Sequence, residues 1–79
     1  MTNVDLDLAM FIADNMKQMK ESVDSYPPSC SDLDEWKTIL GTIESGFRLY
    51  LEHVGDPSRY QPHLERSLWL LMKHFTDLW

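Results

Sequence analysis

The side chains of this chain that could do chemistry are one cysteine, Cys30, and three histidines, His53, His63 and His74. A cysteine beside a histidine base can act as a nucleophile, and the same pair can hold zinc, but both sites need closely convergent ligands. The chain has no CxxC motif, no HExxH motif and no glutamate followed by a histidine three residues later. We therefore expect a protein that is not an enzyme, with no metal and no cofactor. A small metal-binding or catalytic helical bundle is the weakest alternative.

The charge balance narrows the class of partner. Thirteen acidic and seven basic residues give a formal net charge of −6, which disfavours direct binding to nucleic acid. The single cysteine cannot form an internal disulfide, and we expect it as a reduced thiol. The N-terminal residues lack the positive charge of a signal peptide, and the longest apolar run, Leu68 to Met72, is far too short to span a membrane. The sequence thus predicts a soluble protein of the cytoplasm that does not bind membranes.

Apolar side chains recur at spacings of three and four residues, the pattern of a packed α-helical face. The middle of the chain has the longest such stripe: Leu33, Trp36, Leu40, Ile43, Phe47, Tyr50 and Val54. Shorter stripes lie on either side: Leu8, Ile12, Met16, Met19 and Val23 before it, and Leu64, Leu68, Leu71, Phe75 and Leu78 after it. We expect all three stripes to form the core, with Met72 and Trp79 extending the last one.

Helix start and stop signals divide the chain into three segments. Capping boxes at Thr2 with Asp5 and at Ser31 with Asp34 begin the first two helices, and Pro62 begins the third. Gly55 is placed to end the second helix in the left-handed conformation. Helices over about residues 4–23, 32–54 and 62–78, joined by short loops, predict one all-α domain over residues 1–79. Its architecture is a compact up-down-up three-helix bundle, with a homodimer as a plausible assembly.

Two groups of side chains do not fit the core stripes. Trp69 and Leu70 lie outside the apolar arc of the third helix, and the second helix has an uncharged sector formed by Thr38, Gly41, Thr42, Ser45 and Leu49. Gly41 and Ser45 leave a shallow notch in that sector. Either the helices of the same chain cover these side chains, or a partner protein or a second copy does. They are the candidate interface residues.

The pattern Glu35-Trp36-x-x-Ile39-Leu40-x-x-Ile43-x-x-Gly46-Phe47, together with the ending Leu71-x-x-His74-Phe75-x-x-Leu78-Trp79, gives the chain a resemblance to a known group. It resembles small acidic helical proteins encoded by phages and prophages, mostly of unassigned function. The resemblance implies an accessory protein in the host cytoplasm that binds and inhibits a host or defence protein, as anti-CRISPR proteins do. The group provides no functional residues to transfer.

The sequence therefore predicts a protein–protein interaction module. An alternative is an acidic mimic of nucleic acid that occupies a basic DNA- or RNA-binding channel. The two hypotheses differ in their response to salt, because a charge mimic binds more weakly at high ionic strength whereas an apolar contact does not.

Overall fold

The computed structural model describes residues 3–78, and three α-helices dominate this part of the chain. The helices are α1 (Val4–Ser22), α2 (Leu33–Glu52) and α3 (Pro57–Lys73), and one turn of 3-10 helix follows at Phe75–Asp77. The described residues contain no strand, so the predicted all-α three-helix bundle is confirmed. The predicted Thr2–Asp5 capping box and the predicted core position of Trp79 involve residues outside the described range.

The ends of α2 follow the predicted signals with a shift of one residue at the start. The N-cap is Asp32, whose Oδ1 accepts a hydrogen bond of 2.8 Å from the backbone N–H of Glu35. The Glu35 carboxylate in turn accepts the N–H of Ser31 at 3.0 Å, so the capping box predicted at Ser31 lies at Asp32. After the helix ends, Gly55 has a φ of +95°, which confirms the predicted left-handed conformation.

The start of α3 differs from the prediction, because the helix begins at Pro57 and Pro62 lies inside it. Both prolines suit a first helical turn, and Pro57 takes that position directly after Asp56. Pro62 has no N–H to donate to the carbonyl of Ser58, so the helix continues with one ladder hydrogen bond fewer.

The core lies between α2 and its two neighbours, and α2 supplies its largest side chains. Trp36, Leu40, Ile43 and Phe47 of the predicted stripe are buried, whereas Val54 is exposed because the helix has already ended. From α1 the core takes Ala9, Ala13 and Met16, two of which are small enough for α1 to approach α2 closely. The predicted α1 stripe is therefore rotated, and its first member, Leu8, is exposed.

The packing of α3 on α2 differs most from the sequence prediction. Gly46 and Ser67 are both buried, and a Cβ built on Gly46 would lie 1.8 Å from the Ser67 Oγ and 2.5 Å from the His63 carbonyl oxygen. The Ser67 hydroxyl donates to the carbonyl of Thr42 at 3.0 Å, which satisfies it inside the bundle. Ser67 thus faces α2, at the point where the two helices come closest.

This orientation turns the predicted apolar stripe of α3 away from α2. Leu68 and Phe75, predicted to be core, are 47% and 58% exposed, and Met72 is exposed as well. Leu70, which lies outside the predicted apolar arc, is buried because it shares the inward face with Ser67 and His74. At 100° per residue the predicted stripe is centred roughly 60° from Ser67, enough to move it from the core to the edge of the bundle.

The bundle is held by two helix pairs rather than three. α2 packs against both α1 and α3, but no Cα atom of α1 lies within 8 Å of one in α3. Packed helices have axes 8–10 Å apart, so the α1–α3 side of this bundle is open along its backbone. Leu64, Leu71 and Leu78 reach part of the way into this gap and pack against the core from its edge.

Polar and aromatic side-chain contacts connect α1 and α3 to α2. Glu44 accepts from Lys20 at 3.1 Å and from Arg48 at 3.4 Å, and Arg48 also reaches Asp14 of α1 at 3.0 Å. At the opposite end of α1, the Tyr50 hydroxyl donates to the carboxylate of Asp5. The Tyr50 ring packs edge-on against Tyr60 of α3, with ring centroids 4.8 Å apart.

The two glycines inside α2 give a matched test of the α2–α3 contact. We expect Gly46→Ala to lower the free energy of unfolding by about 1 to 3 kcal/mol, because the added methyl group overlaps Ser67 and the α3 backbone. Gly41→Ala should raise it by up to about 1 kcal/mol, since its methyl group meets only the Lys20 side chain at 3.6 Å and alanine favours the helix. Urea unfolding measures both changes, and equal effects would show that α2 and α3 do not approach at Gly46.

The Asp5–Tyr50 hydrogen bond should make the free energy of unfolding depend on pH in the acidic range. The bond from Tyr50 holds the pKa of Asp5 below its ordinary value. The ionised form therefore stabilises the fold above the unfolded pKa of about 3.9, and this contribution is lost as the pH falls through the lower, folded pKa. We expect Tyr50→Phe to reduce the free energy of unfolding near neutral pH. Its effect should shrink as the pH falls below about 4, and a constant effect in urea unfolding would contradict the bond.

Candidate functional site

The cysteine and one of the histidines lie at the same end of the bundle, near the junction of α3 and the 3-10 helix. His74 is buried, its ring packs edge-on against Trp36 at 5.5 Å between centroids, and its Nδ1 lies 3.3 Å from the Asp77 carboxylate. Cys30, in the loop before α2, is 6% exposed and belongs to the same core. The structure thus brings together three residue types that could form a nucleophilic site.

The environment of Cys30 opposes such chemistry. Burial raises the pKa of the thiol, and the nearby carboxylates of Glu35, Asp77 and Asp32 raise it further. A reactive cysteine needs the opposite, a lowered pKa beside positive charge or at a helix N-terminus. The arrangement keeps the thiol protonated, as a small apolar group of the core.

The same residues do not assemble a metal site. Within residues 3–78, no three histidine, cysteine, aspartate or glutamate side chains converge closely enough to hold a metal ion. His53 and His63 lie on other parts of the surface, and the contact of His53 with Glu52 is 3.9 Å long.

The predicted uncharged sector of α2 forms the floor of a shallow cleft on the outward face of that helix. Thr38, Gly41, Thr42 and Ser45 line this cleft of about 320 Å³, but Leu49 does not. Its walls are Lys20 of α1 and His63 and Arg66 of α3. The cleft therefore presents hydroxyl groups and positive charge, with no apolar side chain to anchor a partner helix.

The two candidate interface residues of α3, Leu70 and Trp69, differ in their exposure to solvent. Leu70 is buried, which matches the alternative that helices of the same chain cover it. Trp69 is half-exposed, and the Lys73 ammonium group lies 5.0 Å from the centre of its ring. That cation–π contact covers one side of the indole within the chain itself.

A mainly apolar concavity lies on the other side of the bundle, between α1 and α3. We call it the α1–α3 groove; it has a volume of about 210 Å³ and is lined by Asp5, Leu8, Ala9, Phe47, Tyr50, Leu64 and Leu68. Phe47 of α2 is its floor, and Leu8 and Leu68 are exposed on its two walls. Asp5 is the one charged residue of the lining, and its carboxylate is already bonded to Tyr50.

Exposed apolar side chains continue each wall beyond the groove with the same spacing. On α1 they are Val4, Leu8 and Phe11; on the other side they are Leu68 and Met72 of α3 and Phe75 of the 3-10 helix that follows it. The spacing i, i+4 and i+7 places the three α1 residues on one face of their helix, and Leu68 and Met72 share a face of α3. We call these six residues the exposed apolar face.

Sequence periodicity did detect most of these residues but assigned them to the interior. Leu68, Phe75 and Leu8 belonged to predicted core stripes, while Phe11 and Val4 belonged to none. A usable signal was present: α1 carries a second, smaller apolar stripe at Ala9, Ala13 and Met16. Two adjacent apolar stripes make the apolar surface of α1 wider than the contact with α2, so residues at its edge, such as Leu8, stay exposed.

The raised pKa and the burial of Cys30 predict that its thiol reacts slowly with disulfide reagents. We expect Cys30 in the folded chain to react with an aromatic disulfide reagent at least about a hundredfold more slowly than in the urea-unfolded chain. The matched control is Ser29→Cys in a Cys30→Ala background, because position 29 is exposed in the same loop. Equal reaction rates for Cys30 and the control thiol would show that the loop is not packed as described.

None of the described helices has both the length and the apolar composition needed to cross a bilayer. Comparisons with protein-family models, with curated proteins and with solved structures find no match to this chain. The α1–α3 groove and the exposed apolar face around it are therefore the features from which a function can be assigned.

Proposed function

We propose that this chain is a non-enzymatic protein–protein interaction module that binds amphipathic α-helices in the α1–α3 groove. The observation that carries the proposal is the open side of the bundle, where two helices present matched apolar stripes over a Phe47 floor. A hydrophobic groove between two helices can bind a further amphipathic helix, which contacts it through residues at positions i, i+4 and i+7.

The chemistry of the groove selects the kind of helix that it binds. Leu8 and Leu68 can pack against leucine, methionine or phenylalanine side chains, and the lining carries one charge, the Asp5 carboxylate, which accepts a hydrogen bond from the Tyr50 hydroxyl. The bound face of the partner helix should therefore be predominantly apolar. Its outward face meets solvent and is not restricted by the groove.

The acidic side chains give less support to mimicry of nucleic acid. A mimic needs a row of unpaired carboxylates at the spacing of phosphates, but Asp14, Glu44 and Asp56 are paired with basic residues of the same chain. Asp5 is bonded to Tyr50, and the Asp32 side chain caps α2. Inhibition of a host or defence protein, implied by the resemblance to small phage proteins, stays a prediction about the identity of the partner.

A designed helix tests the proposal directly. The probe is a fluorescein-labelled peptide of zero net charge with leucines at i, i+4, i+7 and i+11, and its control has the same composition with the leucines distributed around the helix. We expect the first peptide to bind the chain and the control peptide not to bind, as measured by fluorescence anisotropy. Leu68→Glu should weaken binding at least about tenfold, since it puts a charge on the apolar wall.

Met10→Glu is the matched control variant. Met10 is exposed on α1 like Leu8, but it lies roughly 160° around the helix from Leu8, away from the groove. Binding should be the same for Met10→Glu and the wild type. If both peptides bind equally well, or if Leu68→Glu binds like the wild type, the groove is not the binding surface.

A further inference from the structure

We propose that the helices received by the α1–α3 groove are those of a second copy of this chain, so that two copies pair through the exposed apolar face. The inference rests on the proposed function and specifies its partner. It follows from a property of the face itself: each copy carries both an apolar groove and two helices with the apolar stripes that such a groove accepts. A self-complementary surface can form a two-fold symmetric interface, in which both copies use the same patch.

The exposed apolar area is close to what a stable dimer requires. The six side chains of the face are between 47% and 69% exposed. Aromatic side chains bury about 150–250 Å² each when fully covered and aliphatic side chains somewhat less, so these six partly exposed residues offer on the order of 600 Å² per copy. A standard protein interface covers about 800 Å² per partner, and polar residues at the rim commonly provide the remainder.

The distribution of charge permits two acidic chains to meet on this side. Each copy has a net charge of −6, which opposes association in general. The strip of α1 that continues the exposed apolar face is uncharged along its length: Val4, Leu8, Phe11, Asn15, Gln18 and Ser22. The corresponding strip of α3 and the 3-10 helix after it is also uncharged: Gln61, Leu64, Leu68, Met72 and Phe75. Carboxylates flank both strips, because Asp7 lies four residues before Phe11 and Glu65 lies three residues before Leu68, so we place them at the rim of the contact.

The absence of charge on these strips also argues against a basic partner. A basic helix would gain most from several carboxylates in the groove, but the lining contains only one, that of Asp5. A second copy needs no such carboxylate, because both of its strips are uncharged. The observations therefore favour a second copy over a cationic helix.

Sedimentation velocity of the full chain tests the pairing, at concentrations from about 5 to about 200 µM. We expect the mass of the wild type to rise from monomer to dimer over this range. Leu68→Glu on one wall and Phe11→Glu on the other should each raise the dissociation constant at least about tenfold, because either charge is buried at the interface. Circular dichroism should show unchanged helicity, since both side chains are exposed in the single chain. Met10→Glu should dimerise like the wild type.

Added salt gives a second readout. A contact between uncharged strips of two acidic chains should persist or strengthen at high ionic strength, because salt screens the repulsion between them. Dissociation of the wild-type dimer by salt would overturn the assignment to this face, and so would a Met10→Glu variant that dissociates as readily as Leu68→Glu.

The outcomes separate this inference from the proposed function. A wild type that stays monomeric at the highest concentration but binds the leucine-stripe peptide overturns the dimer and leaves the helix-binding function intact. A monomer that does not bind the peptide overturns both. A dimer that both Leu68→Glu and Phe11→Glu dissociate, while each variant keeps its helicity, supports both.

Discussion

The close approach of α2 and α3 at Gly46 is the contact on which the rest of the arrangement depends. With no side chain at Gly46, the backbone of α2 lies directly against Ser67 and the His63 carbonyl. Because Ser67 must face α2 at this point, the orientation of α3 about its own axis is fixed. Leu70 and His74 then turn inward, and Leu68 and Phe75 turn toward the α1 side. The α1–α3 groove is thus a consequence of one glycine on the neighbouring helix.

The sequence predicted the elements well because their signals are local. The α2 stripe combines large side chains at regular spacing, and four of its seven members are fully in the core, as expected. The orientation of α3 could not be predicted in the same way, because it depends on a pairing of small residues in two helices. Periodicity ranks leucine and phenylalanine above serine as core residues, whereas close helix packing selects the small residue. The candidate interface was affected by the same error: Leu70 was placed outside the core and Leu68 inside it.

The buried polar groups of the bundle have hydrogen-bond or packing partners within the chain. Ser67 gives its hydrogen bond to the Thr42 carbonyl, and His74 lies between the Trp36 ring and the Asp77 carboxylate. No buried side-chain nitrogen or oxygen of the described residues lacks a hydrogen-bond partner. Groups that serve in catalysis are commonly held ready for a substrate, with a perturbed pKa suited to the step. Here the perturbed thiol, Cys30, is shifted toward the unreactive form.

Stability and binding are connected in a bundle of this size. A chain of 79 residues buries a limited area, and two helix pairs bury less than three would. Closing the third side within the chain would require α3 to turn Leu68 inward, and the contact of Ser67 with Gly46 prevents that rotation. The described helices therefore leave the exposed apolar face in contact with water. A partner that binds there only in the folded state also stabilises the fold, by an amount that grows with the logarithm of its concentration above the dissociation constant. Gly46 determines the shape of the α1–α3 groove and thus makes the stability of the monomer depend on what binds in that groove.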